Sequence, residues 1–572
     1  MIRLIQRWRG LLRAVAVGAA LGLGFWGWSL AKPPAQASLF SDTITNLFRT
    51  LQLITLQFPP AMDSPIPWQL SLARFLLPAV ALLETWRLVL GSVRSQARLV
   101  LLGLRPGHVI IAPGPGGAAS ALLRQITARG VSAVAIMDGT NKDVVTQYEN
   151  AAVAVIRGDP RLAETWESAR VDAASMVFVA QSTDVENLNI AVSVSAALER
   201  YPASRHPSLV VALDSDILAE QVDLALDRAA TPPSLRFQRL SIDEEATRPL
   251  FLAPPLPTLK ADRLAPSRIV IVGLGPGARA MLRTALTLGQ DAASSGPHIT
   301  VLAPEADMMA EPILAAGFLP HFAATIELIP LQMAWGTIDD DVLMRALDGV
   351  DAPTLTAICL DDEIAIGAAI GVARFAAVQG WQDGSIAVHQ SQEDRLLSML
   401  ARLDNLPGHK RLLPFGGILP DGTVARLMKE KPEKLPRAIH ADYVRSLGDG
   451  AQAVTADWAA LGETYRRASR AAAEHMSVKL ASLGYTLKPG MPNNFQFSDG
   501  EIDSLARMEH RRWVAERLLR GWRLGPRNNE RRRHPDLVPF DELPQSSQAK
   551  TRAAMRALPA VAGAANLAVV EG

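Results

Sequence analysis

The chain has 572 residues, a formal net charge of +1 and 20% charged side chains. Those figures exclude a disordered polyelectrolyte and one single compact core, and at about 150 residues per domain they suggest three or four folded units. A lone cysteine, Cys359, excludes an intrachain disulfide framework and a multi-cysteine metal cluster.

Leu11 to Ala31 is apolar apart from Arg13, over the roughly 20 residues that a spanning helix requires. Arg3, Arg7, Arg9 and Arg13 precede its apolar run and Trp26 and Trp28 lie at its far end, so the positive-inside rule keeps the N-terminus cytoplasmic. A second candidate runs from Leu70 to Leu90 and is followed by Arg94 and Arg98. Together they predict a membrane hairpin over 1–104, with both termini inside and the cell inner membrane as its location. Arg74, Glu84 and Arg87 within the second span either face a bundle interior or snorkel to the interfaces. The first span also imitates a secretory signal, with Ala35-Gln36-Ala37 before Ser38 as a cleavage site. Retention is favoured, because cleavage strands nucleotide-type domains outside the cell.

Between the spans, Ile44, Leu47, Phe48, Leu51, Thr55 and Phe58 form one apolar helical face. Ser41-Asp42 open that helix as a capping signal and Pro59-Pro60 stop it. Span, short helix, extended segment, span is the layout of a pore-loop subunit. A potassium filter needs a run such as T-V-G-Y-G to aim consecutive carbonyls at the ion. Here the helix is followed by LQFPPAMD, so potassium selectivity does not follow and a poorly selective conduit is favoured.

The next elements read βαβ, with a strand Val109 to Ala112, a turn Gly114-Pro-Gly116-Gly-Ala-Ala119, a helix Ser120 to Ala128 and a strand Val131 to Met137 ending in Asp138. Gly114 permits the tight turn, Gly116 lets a phosphate approach the backbone, and Ala119 lets the helix pack closely. The helix N-terminus attracts the anion and Asp138 stands where a carboxylate binds ribose hydroxyls. A nucleotide fold with nothing bound is the alternative, and Pro113 and Pro115 each remove an amide donor from the loop.

Further on, AVAVIRGDP and MVFVAQSTDVENLNIAV resemble the TrkA-N or RCK domain, the cytoplasmic regulator of potassium channels and transporters. The resemblance covers 105–251 and implies a pocket for NAD(H) or another adenine nucleotide, with ligand contacts near Asp138 and Asp159. Asp159 reads equally well as a cap for the following helix. A proline-rich linker over 252–266 leads to a second copy over 266–405, with strand Arg268 to Val272 and turn Gly273-Leu-Gly275-Pro-Gly-Ala278. Gly273 and Gly275 are counted as candidate cofactor contacts. Yet Ala303 and Pro304 occupy the place of the ribose carboxylate, so a domain that packs and transmits without binding dinucleotide is preferred. In the tandem-domain channels this chain resembles, four subunits place eight such domains in a ring below the pore.

From Arg437 the composition shifts to helix formers and arginine. Glu509-His510, Trp513, Trp522, Arg523, His534-Pro535 and Leu537-Val538-Pro539-Phe540 resemble the RyR domain of ryanodine receptors and bacterial proteins, expected as an all-α module over 430–562. Arg512, Trp513, Trp522, Arg523 and His534 are its candidate ligand contacts, since guanidinium forks and indole faces suit phosphate and base together. Both tryptophans as core and the arginines as ion-paired is the alternative. His510 and His534 lack metal-ligand company, and no metal is expected.

The fold class is therefore α/β, with a two-helix membrane hairpin carrying a pore-type helix, two Rossmann-like RCK domains and a helical RyR domain. The expected function is an ion channel or channel-like membrane protein, homotetrameric and gated by a small nucleotide. A non-conducting nucleotide-sensing scaffold or stress effector is the alternative, and an NAD-dependent oxidoreductase a weaker one. The expected partners are copies of the chain, the lipid bilayer and the nucleotide, with no nucleic acid and no catalytic residue.

Overall fold

The computed structural model describes residues 17–31, 39–57, 65–83 and 85 of an N-terminal unit, Met1–Leu104, and most of a second unit, Arg105–Gly572. Stretches 139–144, 226–235, 253–266, 304–323, 331–340, 391–411 and 448–457, with shorter ones, lie outside the described residues.

The N-terminal unit contains helices α1 (17–30), α2 (Leu39–Gln52) and α3 (68–83). Small residues let them approach closely. A Cβ on Gly24 would lie 2.7 Å from the Thr50 methyl, and one on Gly27 would lie 2.7 Å from the Leu70 amide nitrogen. Ala20, Trp28, Leu53, Leu70, Ala73 and Leu77 form its core. α2 carries Ser41-Asp42 in its first turn and ends in a single 3₁₀ turn, closed by Leu56 in the left-handed conformation. Its packing inverts its pattern. Asn46 and Thr50 are buried, while Ile44, Leu47, Phe48 and Leu51 are exposed, so the apolar stripe points out of the unit. No described helix is long and apolar enough to cross a membrane. Residues 11–16, 84 and 86–90 of the expected spans, and 58–64 after the pore-type helix, lie outside the described residues.

The second unit holds two six-stranded, all-parallel sheets. The first contains β1 (Val109–Pro113), β2 (Ala133–Met137), β3 (Ala154–Arg157), β4 (Met176–Ala180), β5 (Ser208–Ala212) and β6 (Arg236–Leu240) in the order 3-2-1-4-5-6. The second contains β7 (Arg268–Val272), β8 (His298–Ala303), β9 (Thr325–Pro330), β10 (Leu355–Ile358), β11 (Ser385–His389) and β12 (Leu412–Phe415) in the order 9-8-7-10-11-12. That is the same doubly wound topology twice. Runs such as Val-Ile-Ile-Ala and Ile-Val-Ile-Val are buried on both faces, as a parallel sheet covered by helices demands. The second sheet continues past residue 405, because its edge strand is β12.

Among the described residues, helices α4 (Gly117–Ala128), α5 (Ala163–Ser168), α6 (Asp184–Leu198), α7 (Ile242–Leu252), α8 (Pro276–Leu288) and α9 (Asp362–Val378) accompany these sheets. The helix that leaves each sheet packs on the other one. α7 follows β6 but lies along α8, with Thr247 Oγ1 2.6 Å from Thr284 Oγ1. α10 (Asp421–Leu427) follows β12 but joins the core of the first sheet through Leu419, Val424 and Leu427.

The C-terminal module comprises α11 (Lys434–Leu447), α12 (Glu463–Ala481), α13 (Asp499–Leu519) and α14 (Gln545–Ala564). It is not purely helical, since β13 (Tyr485–Pro489) pairs antiparallel with a final strand Leu567–Glu571, and a short ribbon joins β14 (Arg523–Leu524) to β15 (Arg533–His534). A capping box of Ser498 and Glu501 starts α13, a device worth about 1 kcal/mol. Met476, Leu505, Met508 and Val561 of this module share one apolar core with Ile269, Met281 and Leu286 of the second sheet domain.

Candidate functional site

The crevice of a doubly wound sheet lies where strand order reverses, beyond the C-terminal ends of β1 and β4. There Gly114 donates its amide to the Ala180 carbonyl at 2.5 Å. A Cβ on Gly114 would stand 2.6 Å from both that oxygen and Gln181 Cα, so this position admits only glycine. Gln181 Nε2 donates across the crevice to the Ala112 carbonyl at 3.1 Å. Asn187 fixes the floor, with Oδ1 accepting from the Gln181 amide at 2.6 Å and Nδ2 donating to the Ala212 carbonyl at 2.9 Å. Ala119 is buried on α4, Asp138 is exposed at the end of β2, and Gly116 lies outside the described residues. Asp159 follows β3 and is engaged locally. Its Oδ1 accepts from the Arg161 amide and from Arg161 Nε, each at 2.9 Å. Those hydrogen bonds hold its carboxyl below the usual range.

The second turn differs. Gly273 has φ +112, and a Cβ there would overlap the Cys359 carbonyl. Gly275 caps α8 and Pro276 begins it. Against the first turn of α8 lies the His389 ring, which a Cβ on Gly277 or Gly416 would strike. His389 Nε2 is 3.1 Å from Asp243 Oδ1 of α7, and its ring meets Phe415 edge-on at 5.3 Å. Ala303, at the position of the missing carboxylate, is fully buried.

At the opposite end of α8 the C-terminal module takes hold. His475 Nε2 lies 3.1 Å from the Gln290 carbonyl, Arg511 Nε donates to Gln290 Oε1 at 3.2 Å, and Arg511 Nη2 donates to the Asp291 carbonyl at 2.5 Å. Cationic and polar donors at a helix C-terminus satisfy orphan carbonyls and oppose the dipole. Burial lowers Arg511 to about 10 and His475 to about 4. Behind them, fully buried Lys479 meets Glu509 at 2.5 Å, and Glu509 shares its other oxygen with Arg512 at 2.7 Å.

The candidate residues of that module separate. Arg512, Trp522 and His534 line one cavity of about 500 Å³, whereas Trp513 and Arg523 are not in its wall. Arg512 is 3% exposed and chelated between Glu509 and Glu516. Trp513 packs on Val514, Leu518 and Leu537, stacked on His510 at 5.9 Å and edge-on to His534 at 5.0 Å. His534 Nδ1 accepts from the Asp536 amide at 3.1 Å, and burial lowers its pKa. Arg523 is exposed.

The same cavity gathers residues that no local pattern joins. β6 contributes Arg239, α7 contributes Glu244 and Arg248, and α8 contributes Arg283, while α10 and α12 add Arg426 and Arg470. Glu244 accepts from Arg283 at 2.8 Å, and Glu245 pairs with Arg426 at 2.9 Å and Arg248 at 3.1 Å. Burial alone would raise both carboxyls, but the surrounding guanidinium groups outweigh it and hold each at about 2.

Residues 109–220 match the family model of the TrkA-N domain, and residues 498–564 match that of the RyR domain. No curated relative matches the chain. Among solved structures, GsuK bound to ADP aligns at 15% identity over 75% of this chain and 98% of its own, with a TM-score of 0.35. The GsuK channel bound to NAD aligns at 13% identity over 75% of this chain and 84% of its own, with a TM-score of 0.37. The GsuK RCK domain aligns at 13% over 56% and 76%, also at 0.35.

Proposed function

We propose that the chain is a membrane-anchored, non-enzymatic, homo-oligomeric regulator of an ion pathway, switched by an adenine nucleotide at the first glycine turn. The observation that carries this reading is the TrkA-N match over a doubly wound sheet, whose switch point holds an obligatory glycine and whose second strand ends in an exposed carboxylate. Two apolar segments with basic outer flanks support a membrane hairpin upstream, in an inner membrane with both termini inside. A tetramer fits the pore-loop order of those segments, and the filter-like stretch favours weak selectivity.

The second sheet domain acts in this reading as the transmitter. α7 leaves the nucleotide domain and lies along α8, whose two ends touch His389 and the C-terminal module. A change at the first turn therefore reaches rigid, packed elements, and its size is set by the nucleotide's differential affinity for the two states.

Reconstitution of the full chain into planar bilayers tests the proposal. Current that appears with micromolar NAD or ADP and is shifted to higher concentration by Asp138→Ala is the expected result. Tight nucleotide binding with a silent bilayer would replace the conduit by a non-conducting sensor. Turnover of NAD with any metabolite would replace both by an enzyme.

A further inference from the structure

The cavity between the two sheet domains and the C-terminal module has a composition that the glycine-turn reading does not use. Among the described residues its wall holds eleven arginines and five glutamates. Four of those glutamates are already committed. Glu244 and Glu245 are paired as above, Glu474 meets Arg248 at 2.9 Å, and Glu516 meets Arg512 at 2.6 Å and Arg520 at 2.7 Å. Guanidinium groups gathered in one partly buried wall make its potential positive, a field that attracts an anionic ligand.

Two of the arginines are positioned for such a ligand. Arg517, half-buried, makes no ion pair among the described residues; its guanidinium lies over the Trp522 ring at 4.7 Å and the Trp513 ring at 5.6 Å. Arg527 is exposed on the ribbon loop and has no carboxylate partner among the described residues. Aromatic faces stand nearby. Tyr443 and Tyr465 line the same wall and are 45% and 47% exposed.

We infer that this cavity is a second ligand site, built for a nucleoside diphosphate or a larger nucleotide bearing several phosphates. Guanidinium forks match phosphate oxygens bidentately, and the exposed tyrosine faces accept a planar base. A volume of about 500 Å³ falls within the roughly 300–1,000 Å³ of small-molecule sites. The wall draws on β6 of the first sheet and α10 packed on it, α7 and α8 packed on the second, and α11 to α13 of the C-terminal module. A ligand there cross-links all three and favours whichever arrangement keeps them together. The site stands independently of the glycine turn; only its regulatory consequence rests on the function proposed above.

Calorimetric titration of the full chain in detergent micelles tests it, with ADP, adenosine and inorganic pyrophosphate as probes. ADP binding is expected to persist in Asp138→Ala and to weaken at least tenfold in Arg517→Gln/Arg527→Gln. Tyr465→Leu/Arg527→Gln, which changes only exposed side chains, is expected to weaken it as well and guards against a folding artefact. Adenosine is expected to bind far more weakly than ADP. Wild-type affinity in both double variants, or loss of all ADP heat in Asp138→Ala, overturns the second site. Pyrophosphate binding as tightly as ADP overturns the nucleoside assignment. If instead the cavity variants abolish binding and Asp138→Ala changes nothing, the second site stands and the glycine-turn reading falls.

Discussion

The two glycine turns sit at the same point of the same topology, yet different groups stand over them. At the first, the second strand ends in exposed Asp138 and the crevice is bordered by amide side chains, Gln181 and Asn187. At the second, the acid has become buried Ala303 and a protein group, the His389 ring held by Asp243, lies against the helix. In the function proposed above the first turn offers its helix end to a ligand, whereas the second has an internal occupant supplied partly by its neighbour domain. A shared fold therefore says where a ligand would bind, and the side chains at that point decide whether one does.

The largest effect expected from breaking this comparison is at Gly273. With φ +112 and the Cys359 carbonyl in the way, Gly273→Ala adds left-handed strain of about 1–2 kcal/mol to a backbone overlap of about 1–3 kcal/mol. The full chain should lose several degrees of thermal stability, read by tryptophan fluorescence. An unshifted transition would mean that β7 and β10 do not approach as closely as described.

Acid should separate the two contacts of α8. His475 is kept neutral by burial, at about 4 against an ordinary 6.5. A group depressed in the fold stabilises above its unfolded pKa, so this contribution is complete above pH 6.5 and drains away toward pH 4. Its full size is about 3 kcal/mol. Glu244 and Glu245, depressed from 4.5 to about 2, hold α7 to its neighbours until the pH falls below 4.5. The C-terminal module is thus expected to loosen from α8 first. Hydrogen exchange between pH 7 and 4.5 should show rising exchange at the end of α8 before α7, and His475→Gln should flatten that dependence. Simultaneous loosening of α7 in wild type at pH 5 would contradict it.

A smaller effect sharpens the first turn. Removing a hydrogen bond to a charged group costs about 1.5–3 kcal/mol, so Asp138→Ala should weaken NAD binding by at least tenfold, measured by calorimetry, with thermal stability nearly unchanged. His389→Ala should do the reverse, leaving affinity at the first turn intact while destabilising the α7–α8 contact.

Both doubly wound sheets were legible in the sequence because each Gly-rich turn follows an apolar strand and precedes a helix. So was the RyR-type module, through Trp513, Trp522 and His534. The edge strand Leu412–Phe415 was not, since its four residues are only half apolar-in and carry Pro414. The exchange of α7 and α10 between sheets leaves no periodic trace. Nor does the arginine cavity, which joins Arg239, Arg283, Arg426 and Arg517 from segments that only tertiary packing unites. Ile44, Leu47, Phe48 and Leu51 of the expected stripe do share an exposed face of α2, while Thr55 falls in the 3₁₀ turn and Phe58 lies outside the described residues; a pattern cannot tell which side of a helix a unit buries. Thr50 is buried where α1 offers Gly24 at the contact, and Asn46 one turn before it is buried as well.

The smallest expected effect separates Asp159 from Asp138. Both lie at the C-terminal edge of the first sheet, and both read as ligand contacts from the sequence. Asp159, however, gives Oδ1 to the amide and Nε of Arg161, and its Oδ2 accepts from Arg161 Nη2 at 3.0 Å. Each of its oxygens is spent within two residues, in a solvent-facing pair that contributes little on its own. Asp159→Asn keeps the amide contact and removes only the charge. It should leave nucleotide affinity where it was, in the same titration that registers Asp138→Ala. If the two substitutions weaken binding equally, Arg161 gives up its partner when the nucleotide arrives, and the ligand corner extends from β2 to β3.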